Sequence, residues 1–190
     1  MGKLFVFMGK SASGKDTLYR EIMKRHREIK KVIPYTTRPI RAGETEGEEY
    51  HFVTVEQLRE MEREGKVVEC RCYETVKGPW YYFTADDGQI DFGSGDSCLI
   101  STLEGFEKIR DYYGRNQVVP LYIEVPAIER MRRSLERESQ QESPCVAEVC
   151  RRYLADEKDF SEENLRRAGI EHAIQNVVLK EALEEIEKIL

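Results

Sequence analysis

Lys3-Leu4-Phe5-Val6-Phe7-Met8-Gly9-Lys10-Ser11-Ala12-Ser13-Gly14-Lys15-Asp16-Thr17 is the stretch on which the rest of the chain depends. Five consecutive apolar residues, Leu4 to Met8, predict a short buried strand, and Leu18, Ile22 and Ile29 give helical spacing after it. Between them Gly9 to Lys15 follow the pattern G-x-x-x-x-G-K, which cradles phosphate. Two glycines let the backbone curl so that successive N–H groups converge on an anion. The nest ends on a helix N-terminus, where unpaired donors and the dipole favour negative charge. Lys15 adds a full charge able to follow a phosphoryl group in transfer. Asp16 stands where the common pattern has Ser or Thr, and Thr17, one later, offers a hydroxyl to magnesium. A glycine turn without a ligand would leave two lysines in that loop unexplained.

The 190 residues suit one domain with inserted lobes. Charged residues at 35% and short aliphatic runs predict a soluble protein with no membrane span. The chain enters its first strand without a secretory-type leader, so a cytoplasmic location is expected. A net charge of −6 argues against a general nucleic-acid binder, while locally bunched arginines suit a small anionic ligand. Five cysteines without zinc-site spacing read as free thiols: Cys70 and Cys98 in the core, Cys145 and Cys150 bracketing a segment expected to be mobile and therefore exposed.

Tyr35 to Val53 is rich in turn formers and charge and reads as a loop. Arg38 and Arg41, followed by Tyr50, suit bidentate phosphate binding; the alternative is a solvated charge run with an arginine paired to a local glutamate. Thr54-Val55-Glu56-Gln57 is a capping box opening a short helix with Val55, Leu58 and Met61 on one side. Lys66 to Cys70 and Trp80 to Thr84 read as strands, the first carrying Glu69 in an apolar context. Ala85 to Asp96 is irregular, Ser97 to Ser101 is a strand, and Leu103, Phe106 and Ile109 line a helix. Val118 to Val125 is a strand containing Pro120. Arginine-rich helices on either side of Ser139 to Pro144 suit a closing lid, or else a solvated helical hairpin. His172 to Val178 is expected as the last strand and Lys180 to Leu190 as the last helix. This alternation predicts an α/β architecture with a parallel sheet, whose ligands sit beyond the carboxyl ends of the strands.

The stretch Thr36-Thr37-Arg38, Arg41-Ala42-Gly43-Glu44, Gly47 and Tyr50-His51-Phe52-Val53, joined to that phosphate loop, resembles the guanylate kinase family. The likeness continues through Val68-Glu69, Tyr81-Tyr82-Phe83-Thr84 and Gln175-Asn176. It implies a P-loop, three-layer α/β/α fold with a parallel central sheet. The core would take residues 1–33, 97–125 and 153–190, an inserted monophosphate-binding lobe 34–96, and a helical lid 126–152. It also implies a transferase that moves the terminal phosphoryl of ATP to GMP with Mg2+. Gly9, Ser11, Ala12, Ser13, Gly14, Lys15, Asp16 and Thr17 would bind ATP, with Asn176 near the adenine and Thr17 and Asp16 toward the metal. Arg38, Arg41, Tyr50 and Tyr82 would hold the GMP phosphate, with Glu44 orienting them. Glu69 would accept from guanine N1–H and N2–H₂, and Thr84, replacing the family's usual Ser, would donate to O6. Lys15 and the lid arginines Arg133, Arg137 and Arg152 would neutralise charge in transfer.

The departures are local. The strand that ends in Asp-x-Asp in the family ends here in Ser101-Thr102, with Thr102 in the monophosphate set. Tyr82-Phe83-Thr84 replaces Tyr-Gly-Ser or Tyr-Gly-Thr, the insertion from Glu74 to Pro79 is longer, and Ser134-Leu135-Glu136-Arg137-Glu138 shifts the lid arginines. These departures leave open a kinase for another (deoxy)nucleoside monophosphate, or a nucleotide- or peptide-binding module that has lost catalysis. Expected partners are nucleotides alone, with no nucleic acid or membrane, for a monomer or homodimer.

Overall fold

The computed structural model describes residues 1–41, 43–75 and 78–190; Ala42 of the arginine motif and Val76 and Lys77 of the longer insertion lie outside the described residues. Apolar runs form strands where both faces are covered. β1 (Leu4–Met8) is buried at every position, and β7 (Ser97–Ile100) and β8 (Val118–Glu124) are mostly so. With β2 (Lys30–Lys31) and β9 (Ile174–Gln175) they make a five-stranded parallel sheet in the order β2-β7-β1-β8-β9. Parallel neighbours need long crossovers, supplied in part by α1 (Lys15–Arg25) and α3 (Leu103–Tyr113). Strand order reverses at β1, so the loop leaving its carboxyl end lies where such sheets bind ligands.

The first and last strands of the sheet differ from the sequence reading. Lys30–Lys31, which no apolar pattern marks, pairs with Ser97–Cys98, and the Val32 N–H donates to the Cys98 carbonyl at 2.9 Å. Of His172 to Val178 only Ile174–Gln175 pairs, against Ile123–Glu124, and Val177 and Val178 are exposed.

A second sheet has the order β4-β3-β6-β5, formed by β3 (Tyr35–Thr36), β4 (His51–Phe52), β5 (Val67–Thr75) and β6 (Gly78–Ala85). The expected loop from Tyr35 to Val53 thus holds two short strands. Tyr35–Thr36 pairs parallel with His51–Phe52 on one side and antiparallel with Tyr82–Phe83 on the other. α2 (Val55–Arg63) opens with the capping box in full and sends Leu58 into a small core with Phe83 and Ala85.

Ser139 to Pro144 does separate two helices, α4 (Ala127–Ser139) and α5 (Val146–Asp159). α6 (Glu162–Ala168), which apolar spacing does not mark, lies between Ser161 and Gly169, and α7 (Leu179–Glu187) closes the fold. Among the described residues no helix is long and apolar enough to cross a membrane, and no disulfide joins the cysteines.

The chain divides into two compact units. One comprises Met1–Phe5, Glu28–Leu99 and Glu104–Val119; the other comprises Val6–Arg27, Ile100–Leu103 and Pro120–Leu190.

Candidate functional site

The phosphate loop belongs to the second unit, and its two glycines are required for different reasons. A Cβ on Gly9 would stand 2.5 Å from the Ile123 carbonyl oxygen, because the loop runs against the β8 backbone. Gly14 is left-handed, with φ 83°, and caps α1 without a side chain. The first turn of α1 therefore has no side-chain cap and can offer N–H groups to an anion, although the Thr17 N–H already reaches the Gly14 carbonyl at 3.1 Å. A Cβ on Gly14 would also meet Asn176 Nδ2 at 2.3 Å. That amide explains the crowding: Asn176 is buried, and its Nδ2 donates to the Ser13 carbonyl at 2.8 Å. Its own N–H donates to the Glu124 carbonyl at the end of β8. Asn176, expected beside adenine, is thus seated under the loop and fixes its course.

Two acids of α5 hold the other side of the loop. Asp156 Oδ2 accepts the Ser11 N–H at 2.7 Å, and both oxygens of Glu157 lie 3.0 Å from Lys10 Nζ. Arg130 of α4, 2% exposed, donates to Asp156 at 3.2 Å and also to Glu157. Its guanidinium lies 4.1 Å from the centre of the Tyr153 ring. The sequence reading missed Arg130, Asp156 and Glu157, and no local signal marks them, since Asp156 meets its loop partner across 145 residues.

Ala12, Gly14, Asp16 and Thr17 share a cavity of about 510 Å³ with Arg133, Arg137 and Asn176. Asp16 and Thr17 are exposed, Lys15 is half-buried, and Lys15 Nζ lies 3.6 Å from Asp16 Oδ2. Arg133 bridges Glu129, at 2.9 Å, and the Asn176 carbonyl, at 3.1 Å. Arg137 is exposed, and Arg152 pairs with Glu148 at 2.8 Å. Hydrogen bonds from Arg132 and Arg133 hold Glu129 at about 2, and those from Arg151 and Arg152 do the same for Glu148.

The first unit carries Arg38, Arg41, Glu44, Tyr50, Glu69, Tyr82 and Thr84. Arg38 is 4% exposed and grips Glu44 bidentately, Nη1 and Nη2 each at 2.6 Å. The local ion pair foreseen as the alternative is therefore present, but buried and not solvated. Glu44 also accepts the Arg41 N–H at 2.9 Å, while the Arg41 side chain is exposed. The Arg38 fork, aided by that N–H against a smaller upward push from burial, holds the Glu44 carboxyl at about 2. The Arg38 guanidinium lies 5.1 Å from the Tyr50 ring centre, Tyr50 meets Tyr82 edge-on at 5.6 Å, and burial pushes the Tyr50 phenol up.

Alternation along the hairpin sorts its residues. Phe83, Ala85 and Cys70 face the small core, while register pairs Glu69 with Thr84 and Arg71 with Tyr82. Glu69 accepts from Thr84 Oγ1 at 2.9 Å and from Arg71 Nε and Nη2 at 3.0 and 3.2 Å. Arg71 is a further residue the sequence reading missed; its place two residues from Glu69 on a strand was the available signal. Thr102 lies half-buried in the second unit, between β7 and α3.

The family model described as guanylate kinase matches residues 1–190. A guanylate kinase of Wolbachia pipientis wMel is 28% identical over 197 residues, covering 100% of this chain and 89% of the relative. One of Cupriavidus pinatubonensis is 27% identical, covering 100% and 82%. The crystal structure of guanylate kinase from Anaplasma phagocytophilum superposes with a TM-score of 0.69 at 21% identity, over 99% of this chain and 84% of that one, and so shares the fold. With the family matched from the first residue to the last, this chain belongs to the guanylate kinase family.

Proposed function

We propose that the chain is a nucleoside-monophosphate kinase that transfers the terminal phosphoryl group of ATP to GMP. The observation that carries this reading is that, of four buried side-chain polar atoms with no hydrogen-bond partner among the described residues, two are the Ser13 hydroxyl in the phosphate loop and Nε of Arg38 in the monophosphate set, the others being the Ser101 and Tyr113 hydroxyls. Native structures leave few such atoms without a reason, and here each of the two anion sites contains one.

The loop from Gly9 to Thr17, with Ser11, Ala12 and Ser13, takes the ATP phosphates on main-chain N–H groups. Thr17 and Asp16 would hold Mg2+. The donor set fits, because magnesium is commonly bound by one or two carboxylates together with substrate phosphates, and Asp16 and Thr17 are exposed beside the phosphate loop. When bound, the ion neutralises charge on the phosphates. Arg38, Arg41, Tyr50 and Tyr82, oriented by Glu44, receive the acceptor phosphate, and Glu69, Thr84 and Thr102 serve base selection. An oxygen of the GMP phosphate attacks the terminal phosphorus of ATP, and the bond to the bridging oxygen breaks, leaving ADP. The attacking oxygen is already ionised, so no general base is required. Catalysis is positioning and charge stabilisation by Lys15, Arg133, Arg137 and Arg152, with residues 126–152 as the lid and residues 34–96 as the monophosphate-binding lobe. The reading places its action in the cytoplasm, on small-molecule nucleotides, by a monomer or homodimer.

Release of ADP from ATP and magnesium, measured over GMP, dGMP, AMP, CMP, UMP and dTMP, tests the reading. GMP should give the highest kcat/KM. A clear preference for another monophosphate replaces the substrate, and GMP binding without turnover removes the enzyme reading.

A further inference from the structure

The carboxylate assigned to base reading already has a planar partner. Glu69 has a wholly buried side chain, and three donors converge on it: Arg71 Nε on Oε2, Arg71 Nη2 on Oε1, and Thr84 Oγ1 on Oε1. A carboxylate offers about four lone-pair directions, so the in-plane sites that guanine N1–H and N2–H₂ need are largely taken. The match in shape is close, because an arginine fork and the guanine edge are both planar groups presenting two parallel N–H donors. The sheet dictates the arrangement. Residues two apart on a strand share a face, so Glu69 and Arg71 lie together on β5 opposite Thr84 and Tyr82. Tyr73 closes the row, its ring 5.5 Å from that of Tyr82.

We propose that Arg71 is the gate of the base pocket: its guanidinium occupies Glu69 as a guanine edge would, and a base enters only by displacing it. The inference rests on the reading of Glu69 as the base-recognising carboxylate. Guanine can replace what it removes, donor for donor. Adenine cannot, since its corresponding edge pairs one donor with a ring-nitrogen acceptor and would leave the buried carboxylate short of donors. Arg71 thus weakens affinity for guanine by the cost of its own displacement, while the donor match to Glu69 carries the preference. With the open arrangement populated at about one part in ten or less, apparent affinity falls by about tenfold or more.

Guanosine titrated calorimetrically into the wild type, Arg71→Ala and Arg71→Lys tests the gate, because a nucleoside without phosphate reports the base pocket alone. Guanosine should bind Arg71→Ala about tenfold tighter or better, with adenosine and ATP affinities unchanged. Arg71→Lys, which keeps the charge beside Glu69 but lacks the fork, should fall between, and it decides the matter should the alanine variant fail to fold. Unchanged or weaker guanosine binding in the folded variants overturns the proposal. The substrate panel on the wild type separates this from the assigned reaction. A wild type that ignores GMP while the variants gain guanosine leaves the gate standing and the substrate reading refuted. A GMP-preferring wild type whose variants gain nothing refutes the gate alone.

Discussion

The phosphate loop and the monophosphate set each prepare a place for a phosphate, by opposite means. In the loop the donors are main-chain N–H groups, set by a left-handed Gly14 and a close-packed Gly9 and kept in line by Asn176, Asp156 and Arg130. In the monophosphate set the donor is the Arg38 side chain, almost fully buried and already neutralised by Glu44. A backbone site changes little when a neighbouring side chain is trimmed, whereas a side-chain site depends on the ion pair that holds it. Carboxylates brace both: Asp156 on the Ser11 N–H and Glu44 on the Arg41 N–H.

The largest expected effect lies on the loop side. Lys15→Ala removes the one loop group whose charge can move with the phosphoryl, while the N–H nest remains. Loss of a preorganised donor to a developing charge costs about 10²–10³ in kcat, so turnover should fall at least that far with ATP binding weakened much less. Single-turnover measurement of ADP formation checks it, and a near-normal rate removes Lys15 from catalysis.

Glu44→Gln addresses the other side. The amide keeps the shape but not the charge, and Arg38 loses half of its fork. Hydrogen bonds to charged groups contribute about 1.5–3 kcal/mol, so KM for GMP should rise about tenfold with KM for ATP unchanged. A rise in both would mean that the two regions do not act separately.

These two tests also mark how far local sequence carried. The loop, the capping box of α2 and the break between α4 and α5 were legible because their signals sit within a few residues: Gly9 to Lys15, Thr54 with Gln57, and Pro144. α6 carries signals of the same kind, Ser161 accepting the Asn164 N–H at its start and a left-handed Gly169 at its end. A reading led by apolar spacing passes over it. The two-residue strands at Tyr35 and His51 exist through pairing with distant segments, so no periodicity announces them. Arg38, Arg41 and Glu69 could be nominated from the chain, and Glu44 with them because it lies six residues from Arg38, but not Arg71 as the partner that holds Glu69. The pairing of Arg71 with Glu69 needed the strand register as well as the spacing.

Acid should separate the regions by a smaller margin. Glu44 is held at about 2 in the folded chain, below its ordinary range, so the unfolded state binds the proton first as pH falls. Its contribution is therefore complete above about pH 4.5 and lost as pH falls through about 2. Glu129 and Glu148 share that window, so the informative quantity is a difference. Urea midpoints between pH 5 and 2.5 should fall more steeply for the wild type than for Glu44→Gln, and parallel slopes would remove the Glu44 pair from the stability of the lobe.

The smallest effect tests whether the monophosphate set depends on its ion pair or on the rigidity of the sheet beneath. Thr54 Oγ1 accepts the Gln57 N–H at 3.2 Å, and Gln57 Oε1 accepts the Thr54 N–H at 2.8 Å. Together they fix the start of the helix that places Leu58 against Phe83 and Ala85. Thr54→Ala removes one of the two bonds at an exposed position, costing about 1 kcal/mol and lowering Tm by about 2–4 °C. None of the residues proposed to touch GMP takes part in that cap, so KM for GMP should stay where it is while Tm falls. A KM that rises as far as in Glu44→Gln would mean that the packing of α2 on the sheet, and not the charge beside Arg38, sets the geometry of the site.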